Sequence, residues 1–292
     1  MASVQQLKSR IRSVNSTKQI TKAMQLVAAS KMRRATTAVK ETTDYATTAK
    51  ELLADLAHDR EAVETHFLFK KRQIKKRLLI VISSDTGLAG AYNANILKSF
   101  ANELKRDNEN HIETDVLTLG RKVSQFVSRL KNVNSIGAYE KLPDQAVGLE
   151  IKTILNIAID NFRNGNCDAV DIIYTKFKSS ISQETAVERL LPAGLAGSDA
   201  LKSHREISES KFEPSREIVL NAVVKRLIET QIVQALLDSR ASEHSMRMMA
   251  MKNATDNATS LSEDLTLAMN KERQAAITQE LSEISAGAEA VK

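Results

Sequence analysis

Residues 215–286 read SREIVLNAVVKRLIETQIVQALLDSRASEHSMRMMAMKNATDNATSLSEDLTLAMNKERQAAITQELSEISA, a stretch of 72 residues with no glycine and no proline. Those two residues are the ones a helix tolerates least, so nothing in this stretch stops a helix. Within it Met251, Ala254, Ala258, Leu261, Leu265 and Ala268 recur at the three-four spacing of a coiled-coil seam. Ile277, Leu281, Ile284 and Ala288 form a second stripe in a shifted phase. Pro214 suits a first helical turn, Ser210 with Glu213 resembles a capping box, and Gly287 is a stop signal. At 1.5 Å per residue the helix spans about 108 Å, whereas a compact globule of this length has a radius of gyration of about 19 Å. The sequence therefore predicts a helix that projects from any compact domain.

The other end of the chain reads the same way. Residues 1–86 also lack glycine and proline. A seam runs through Val4, Leu7, Ile11, Val14, Lys18, Thr21, Gln25, Ala28, Met32, Ala35 and Val39, apolar except for a polar interruption at Lys18, Thr21 and Gln25. The helix continues through Leu52, Leu53 and Leu56 and fades near His58. One helix ends where the middle of the chain begins and the other starts where it ends, so the two pair antiparallel. Matching residue 57 with residue 214 places residue 1 near residue 270 and Lys8 near Glu263 and Asp264. The last twenty or so residues then extend past the pair. The expected division is 1–58, 59–213 and 214–292.

All turn signals sit in the middle. Leu78–Ser83, Asp115–Leu119, Asn134–Ala138, Val170–Phe177 and Glu184–Leu190 read as strands. Ala94–Lys105, Val123–Leu130 and Leu149–Phe162 read as helices, and Gly194–Ser210 as a loop. This alternation predicts an α/β class: a Rossmann-like domain with a mainly parallel sheet, carried by a long antiparallel coiled coil of the terminal helices.

The chain carries a net charge of +6, and residues 1–40 hold nine basic residues and no acid. Three readings compete for this segment: a mitochondrial transit peptide, a nucleic-acid arm, or a shaft facing an acidic partner. The sustained seam favours the shaft, and the absence of any aromatic residue before Tyr45 weakens nucleic-acid binding. No apolar run approaches the roughly 18 residues of a membrane span. The single cysteine, Cys167, allows no internal disulfide and fits a reducing compartment.

Catalytic chemistry is not legible. The loop Ser83-Ser84-Asp85-Thr86-Gly87-Leu88-Ala89-Gly90 occupies the place of a phosphate loop but has neither the P-loop spacing and lysine nor the dinucleotide spacing. It reads instead as a tight turn in which glycine supplies unusual backbone angles. The histidines, 58, 66, 111, 204 and 244, form no ligand pair and read as surface residues. Met246, Met248, Met249 and Met251 are either a flexible contact patch or seam packing. No catalytic, cofactor or metal site is expected.

The terminal motifs resemble a known family, the gamma subunits of F-type ATP synthases. At the start the resemblance lies in Arg10-Ile11-x-Ser13-Val14 through Thr17, Ile20-Thr21-Lys22-Ala23-Met24 and Val27 through Ala35. Near the end it lies in Ser239 through Met248, Ala250 through Ala258 and Asn270 through Glu280. It covers the whole chain, with the middle looser. What it implies is a non-catalytic rotor: a central stalk that carries rotation of a membrane ring of c subunits to the catalytic beta subunits of a proton-driven synthase. The implied partners are the alpha, beta, epsilon and c subunits, with no nucleic acid and no cofactor. By family position Arg247, Arg273, Gln274 and Thr278 contact beta-subunit loops, Lys22 and Met24 lie near the same level, and Glu280 is a further candidate. The family commonly reads Ser-Asp-Arg-Gly-Leu-Cys-Gly after the first strand, where this chain has Thr86 and Ala89. Thiol regulation of the chloroplast kind needs two cysteines and is not expected. The motif begins within ten residues of Met1, which implies a bacterial protein at the cytoplasmic face of the plasma membrane. The reading from the residues alone leaves a coiled-coil scaffold with a non-binding Rossmann-like domain as the alternative.

Overall fold

A computed structural model describes residues 4–58, 66–131, 133–142, 148–194 and 216–290. The chain divides into two compact units, residues 30–246 and residues 1–29 with 247–292. Two long helices contribute to both: α1, Val4–His58, and the last helix, Arg216–Ala290.

The larger unit is built on a five-stranded sheet. Its strands are β1 (Lys76–Ile82), β2 (Glu113–Leu119), β3 (Asn134–Tyr139), β4 (Ala169–Phe177) and β5 (Gln183–Leu191), in the order β3-β2-β1-β4-β5. The pairs β1–β2, β1–β4 and β2–β3 are parallel and β4–β5 is antiparallel. Central β1 is apolar along nearly its whole length because both its faces are covered. Leu78, Ile80 and Ile82 enter one core cluster while Leu79 and Val81 enter the other, as the two-residue strand period requires. On the second face lie α2 (Tyr92–Glu109) and α3 (Arg121–Val127), through Ile96, Phe100 and Val123. On the first lies α4 (Leu149–Arg163), which buries Ile151, Ile154, Leu155, Ala158, Ile159 and Phe162. The same face receives Ala49, Leu53 and Leu56 of α1 and Leu220, Val224, Leu227, Ile228, Ile232 and Leu236 of the last helix, here α5 (Arg216–Ala290).

Every predicted strand and helix of the middle region is present. A short 3-10 turn, Phe67–Phe69, was not legible; it buries Leu68 and Phe69 and accepts a hydrogen bond from the Ala193 amide at 2.8 Å on the Leu68 carbonyl. Gly87 does not supply the unusual backbone angle of the loop after β1; Leu88 (φ 60°) and Gly90 (φ 55°) do. Gly120 has its own reason to be glycine, since a Cβ there would lie 2.2 Å from the Ser83 carbonyl oxygen. Gly287 does not end α5, which continues to Ala290. Ser210, Glu213, Pro214 and the predicted loop beyond Gly194 lie outside the described residues.

Near the start of β1, an ionic cluster joins elements distant in sequence. Arg77 Nη1 donates to Glu103 Oε2 at 2.8 Å and to Asp107 Oδ1 at 3.0 Å. Its Nε donates to Asp171 on β4, which also accepts both Nε and Nη2 of Arg189 on β5. Thr114 on β2 donates to Asp107 at 2.9 Å. Burial alone would lower the Arg77 pKa, but Asp171, Glu103 and Asp107 outweigh it and hold the guanidinium above its ordinary value. Arg77→Met leaves Glu103 and Asp107 buried without their main cation, so a loss of about 3–5 kcal/mol in unfolding free energy is expected. Urea denaturation of the full chain checks this.

Candidate functional site

The candidate residues stand on the two long helices, so the pairing of those helices decides their neighbours. In the smaller unit the pairing is pinned by polar contacts. Thr21 and Thr255 share a buried hydrogen bond of 2.8 Å, and Ser262 Oγ donates to Asn15 Oδ1 at 3.1 Å. One hydroxyl donates across the pair and the other donates to a carbonyl of its own helix, either Lys18 for Thr21 or Met251 for Thr255. The buried threonine at the centre of the polar interruption is therefore satisfied, and the pair acts as a register lock of the kind a buried polar seam residue provides.

This register differs from the expected one. Thr21 opposite Thr255 displaces the pairing by about five residues, roughly one and a half turns, from the match of residue 57 with residue 214. Lys8 is therefore not opposite Glu263 and Asp264. The α1 seam is as predicted: Leu7, Thr21 and Ala28 are buried, and Ile11, Val14, Lys18, Gln25 and Met32 half-buried. On α5 the seam departs from the prediction after Ala258. Ser262 and Met269 take inward positions, while Leu261 and Ala268 are exposed. The apolar pattern pointed to Leu261, but the row facing α1 passes through a serine that finds Asn15.

Lys22 is exposed and its Nζ donates to Gln25 at 3.3 Å; Met24 is half-buried. Arg247 is buried, and Met246, Met248 and Met249 around it are half-buried, with Met251 in the seam. Arg273, Gln274, Thr278 and Glu280 are all exposed. The Thr278 hydroxyl donates to the Gln274 carbonyl at 2.9 Å, which leaves its oxygen lone pairs outward. Ile277, Leu281 and Ile284 of the second stripe are exposed as well. The candidates do not lie at one level: the 26 residues from Arg247 to Arg273 correspond to about 39 Å of helix. Lys22 and Met24, opposite the Thr255 region, belong with Arg247 and not with Arg273. A surface the seam analysis missed consists of Ile20, Leu26 and Val27, each 58–60% exposed on α1 among its basic residues. Its sequence signal was available, as three bulky aliphatic residues outside the seam positions.

The end of the sheet where a nucleotide would sit is closed by the protein's own acid. Asp85 Oδ1 accepts the backbone amides of Arg121 at 3.1 Å and Lys141 at 3.0 Å. Ser84 is held by Asn93 and by the Thr86 carbonyl. Amides that a phosphate would need are thus given to a carboxylate, whose charge repels phosphate. Cys167 is buried, and burial with the charge of Asp168 pushes its thiol up to about 12, so it is no nucleophile. Two histidines expected at the surface are inside. His66 accepts the Leu68 amide and bonds Asn221 at 3.0 Å, and His244 is also buried. His111 and His58 are exposed as expected, and His204 lies outside the described residues. No described helix is long and apolar enough to cross a membrane.

A family model described as ATP synthase matches residues 3–291. The ATP synthase gamma chain of Stenotrophomonas maltophilia (strain R551-3) is 38% identical over 291 residues, covering 100% of both chains. The ATP synthase gamma chain of Staphylococcus epidermidis (strain ATCC 12228) is 38% identical over 293 residues, again with 100% of both covered. Among solved structures, the central stalk and c-ring of Tetrahymena thermophila mitochondrial ATP synthase contains a chain 28% identical, with a TM-score of 0.59, covering 80% of this chain and 99% of that one. A chain of the Euglena gracilis mitochondrial ATP synthase shares the fold at 16% identity, with a TM-score of 0.68 over 99% of this chain and 94% of that one.

The closed loop at Asp85 yields a direct expectation. Titration calorimetry of the full chain with ATP or ADP shows no micromolar binding, and a saturating isotherm in that range would restore the Gly87–Gly90 loop as a nucleotide site.

Proposed function

Because the chain belongs to the ATP synthase gamma-chain family, we propose that two levels on its long helices are the surfaces through which it exchanges torque with the catalytic subunits. The chain is the non-catalytic rotor subunit of the central stalk, a part of a membrane-associated complex. The observation that carries this is the end-to-end match with gamma chains at 38% identity. The partners are the alpha, beta and epsilon subunits and the ring of c subunits. Segments 1–58 and 214–292 serve as the shaft and 59–213 as the α/β domain. The site of work is the cytoplasmic face of the bacterial plasma membrane.

The physical task is to transmit a twist without consuming it. A rotor needs side chains that engage a partner at one angle and release it at the next, so its contacts are better made by exposed polar groups than by a deep apolar interface. Arg273, Gln274, Thr278 and Glu280, all exposed, supply such groups. Lys22, exposed on basic α1, offers such a group at the second level, where half-buried Met24 and buried Arg247 also lie. The sharing of Asp85 between two amides fits a rotor whose α/β domain holds no nucleotide.

Two measurements test the reading. Purification of the tagged chain from detergent-solubilised membranes recovers alpha, beta, epsilon and c subunits together, whereas recovery with unrelated soluble proteins removes the rotor assignment. Combining Arg273→Ala with Gln274→Ala lowers coupled ATP synthesis several-fold, with circular dichroism and the unfolding midpoint unchanged. Unaltered synthesis in the double variant would exclude this level from torque transfer.

A further inference from the structure

A second polar cluster, distinct from the Arg77 cluster, lies where α5 meets the sheet and α1. Ser239 Oγ accepts the Thr175 amide at 3.2 Å, Ser242 Oγ donates to the Thr175 carbonyl at 3.3 Å, and Ser245 Oγ donates to the Ser180 carbonyl at 2.6 Å. These three serines, each at most 1% exposed, fasten one face of α5 to the end of β4 and the turn that follows. Asp238 stands beside the first of them and is 5% exposed.

The groups whose charge or dipole acts on Asp238 come from four elements. Lys176 and Tyr174 come from β4, Glu188 from β5, Lys50 from α1, and Gln234 from one turn earlier on α5. Most of them are committed elsewhere. Tyr174 donates its hydroxyl to Glu188 Oε1 at 2.7 Å, and Lys50 Nζ pairs with Glu188 Oε2. Thr42 of α1 donates to Gln234 Oε1 at 2.7 Å, which leaves the Gln234 amide nitrogen for Asp238 and Thr43. Lys176 is exposed and acts from solvent. Asp238 is thus a buried carboxyl at the junction of α5 with β4 and α1, flanked by Ser239, which holds Thr175, and by Gln234, which holds Thr42, and no ion pair within 4 Å involves it among the described residues.

We propose that Asp238 is the proton-responsive element of a latch that holds α5 to α1 and to the β4–β5 hairpin: uptake of one proton removes a buried charge and tightens the seat of α5. Burial pushes this carboxyl up, Lys176 pulls it down, Glu188 pushes it up again, Lys50 and Gln234 pull it down, and the balance lies at about 6. The folded value is above the ordinary one of 3.8. The stabilisation is therefore complete below that ordinary value and is lost as the pH rises through about 6. Acidification across this window firms the hold of α5 on the sheet. The latch is a property of the chain itself and stands or falls separately from the torque contacts.

Hydrogen exchange of the full chain, read as protection factors for amides of α5 around residues 232–242, tests it. With a folded value of about 6, protection rises about fourfold between roughly pH 7.5 and pH 5.5. Asp238→Asn abolishes the rise and is as protected at the higher pH as the unaltered chain is at the lower one. A D238N variant that keeps the fourfold rise overturns the proposal. Lys176→Gln, an exposed change with no packing cost, provides an independent arm. It removes an attraction for the charged carboxyl and moves the midpoint upward, and a midpoint that stays in place or falls also overturns the proposal.

Discussion

One apolar cluster in the larger unit organises the elements around it. The first face of the sheet, α4, the end of α1 and the beginning of α5 bury their aliphatic side chains together. Leu220, Val224, Leu227, Ile228, Ile232 and Leu236 line one face of α5 there, and each such side chain contributes about 1.5–3 kcal/mol when fully buried. No single polar contact in the unit approaches that sum. The cluster therefore fixes which face of α5 meets the sheet, and the polar contacts are set within that constraint. Ser239, Ser242 and Ser245 meet β4 and its turn because the apolar rows have already turned them inward.

Polar groups then supply what apolar packing cannot, a unique register and a response to charge. An apolar seam with three-four spacing tolerates a slip of one turn with little loss of buried area. Thr21 against Thr255 does not, because a slip would leave two hydroxyls facing hydrocarbon. The same logic separates the two ionic clusters. Around Arg77 the opposite charges are matched closely and the result is structural. Around Asp238 the acids are only partly compensated, and protonation has something to relieve.

The fold and the family are largely legible in the order of the residues. The long helices were declared by the absence of glycine and proline and by the seam. The strands were declared by apolar runs such as Leu78–Ile82, and the rotor role by contiguous motifs at both ends. The candidate site was legible as residue identities but not as an arrangement. Arg247 and Arg273 sit on the same helix, in two of the family's C-terminal motifs, yet they belong to levels about 39 Å apart. Ile20, Leu26 and Val27 went unnoticed because a seam search discards residues outside the seam. The buried places of His66 and His244 left no local pattern to find.

What the sequence determined by itself was whatever depends on neighbours a few residues away: helix length, seam phase on α1, strand positions, the lack of a phosphate-loop spacing and the run of basic charge. Such features follow from backbone preference and short-range periodicity, which the order of residues specifies directly. Tertiary structure alone decided the pairing of Thr21 with Thr255, the inward turn of Ser262 in place of Leu261, the gift of two amides to Asp85, and the meeting of Tyr174 and Lys50 on Glu188. Each of these joins residues far apart along the chain, and many alternative partners satisfy the local pattern equally well. The choice among them is made by close packing and by the cost of leaving a buried polar group unpaired, both of which exist only once the chain has folded.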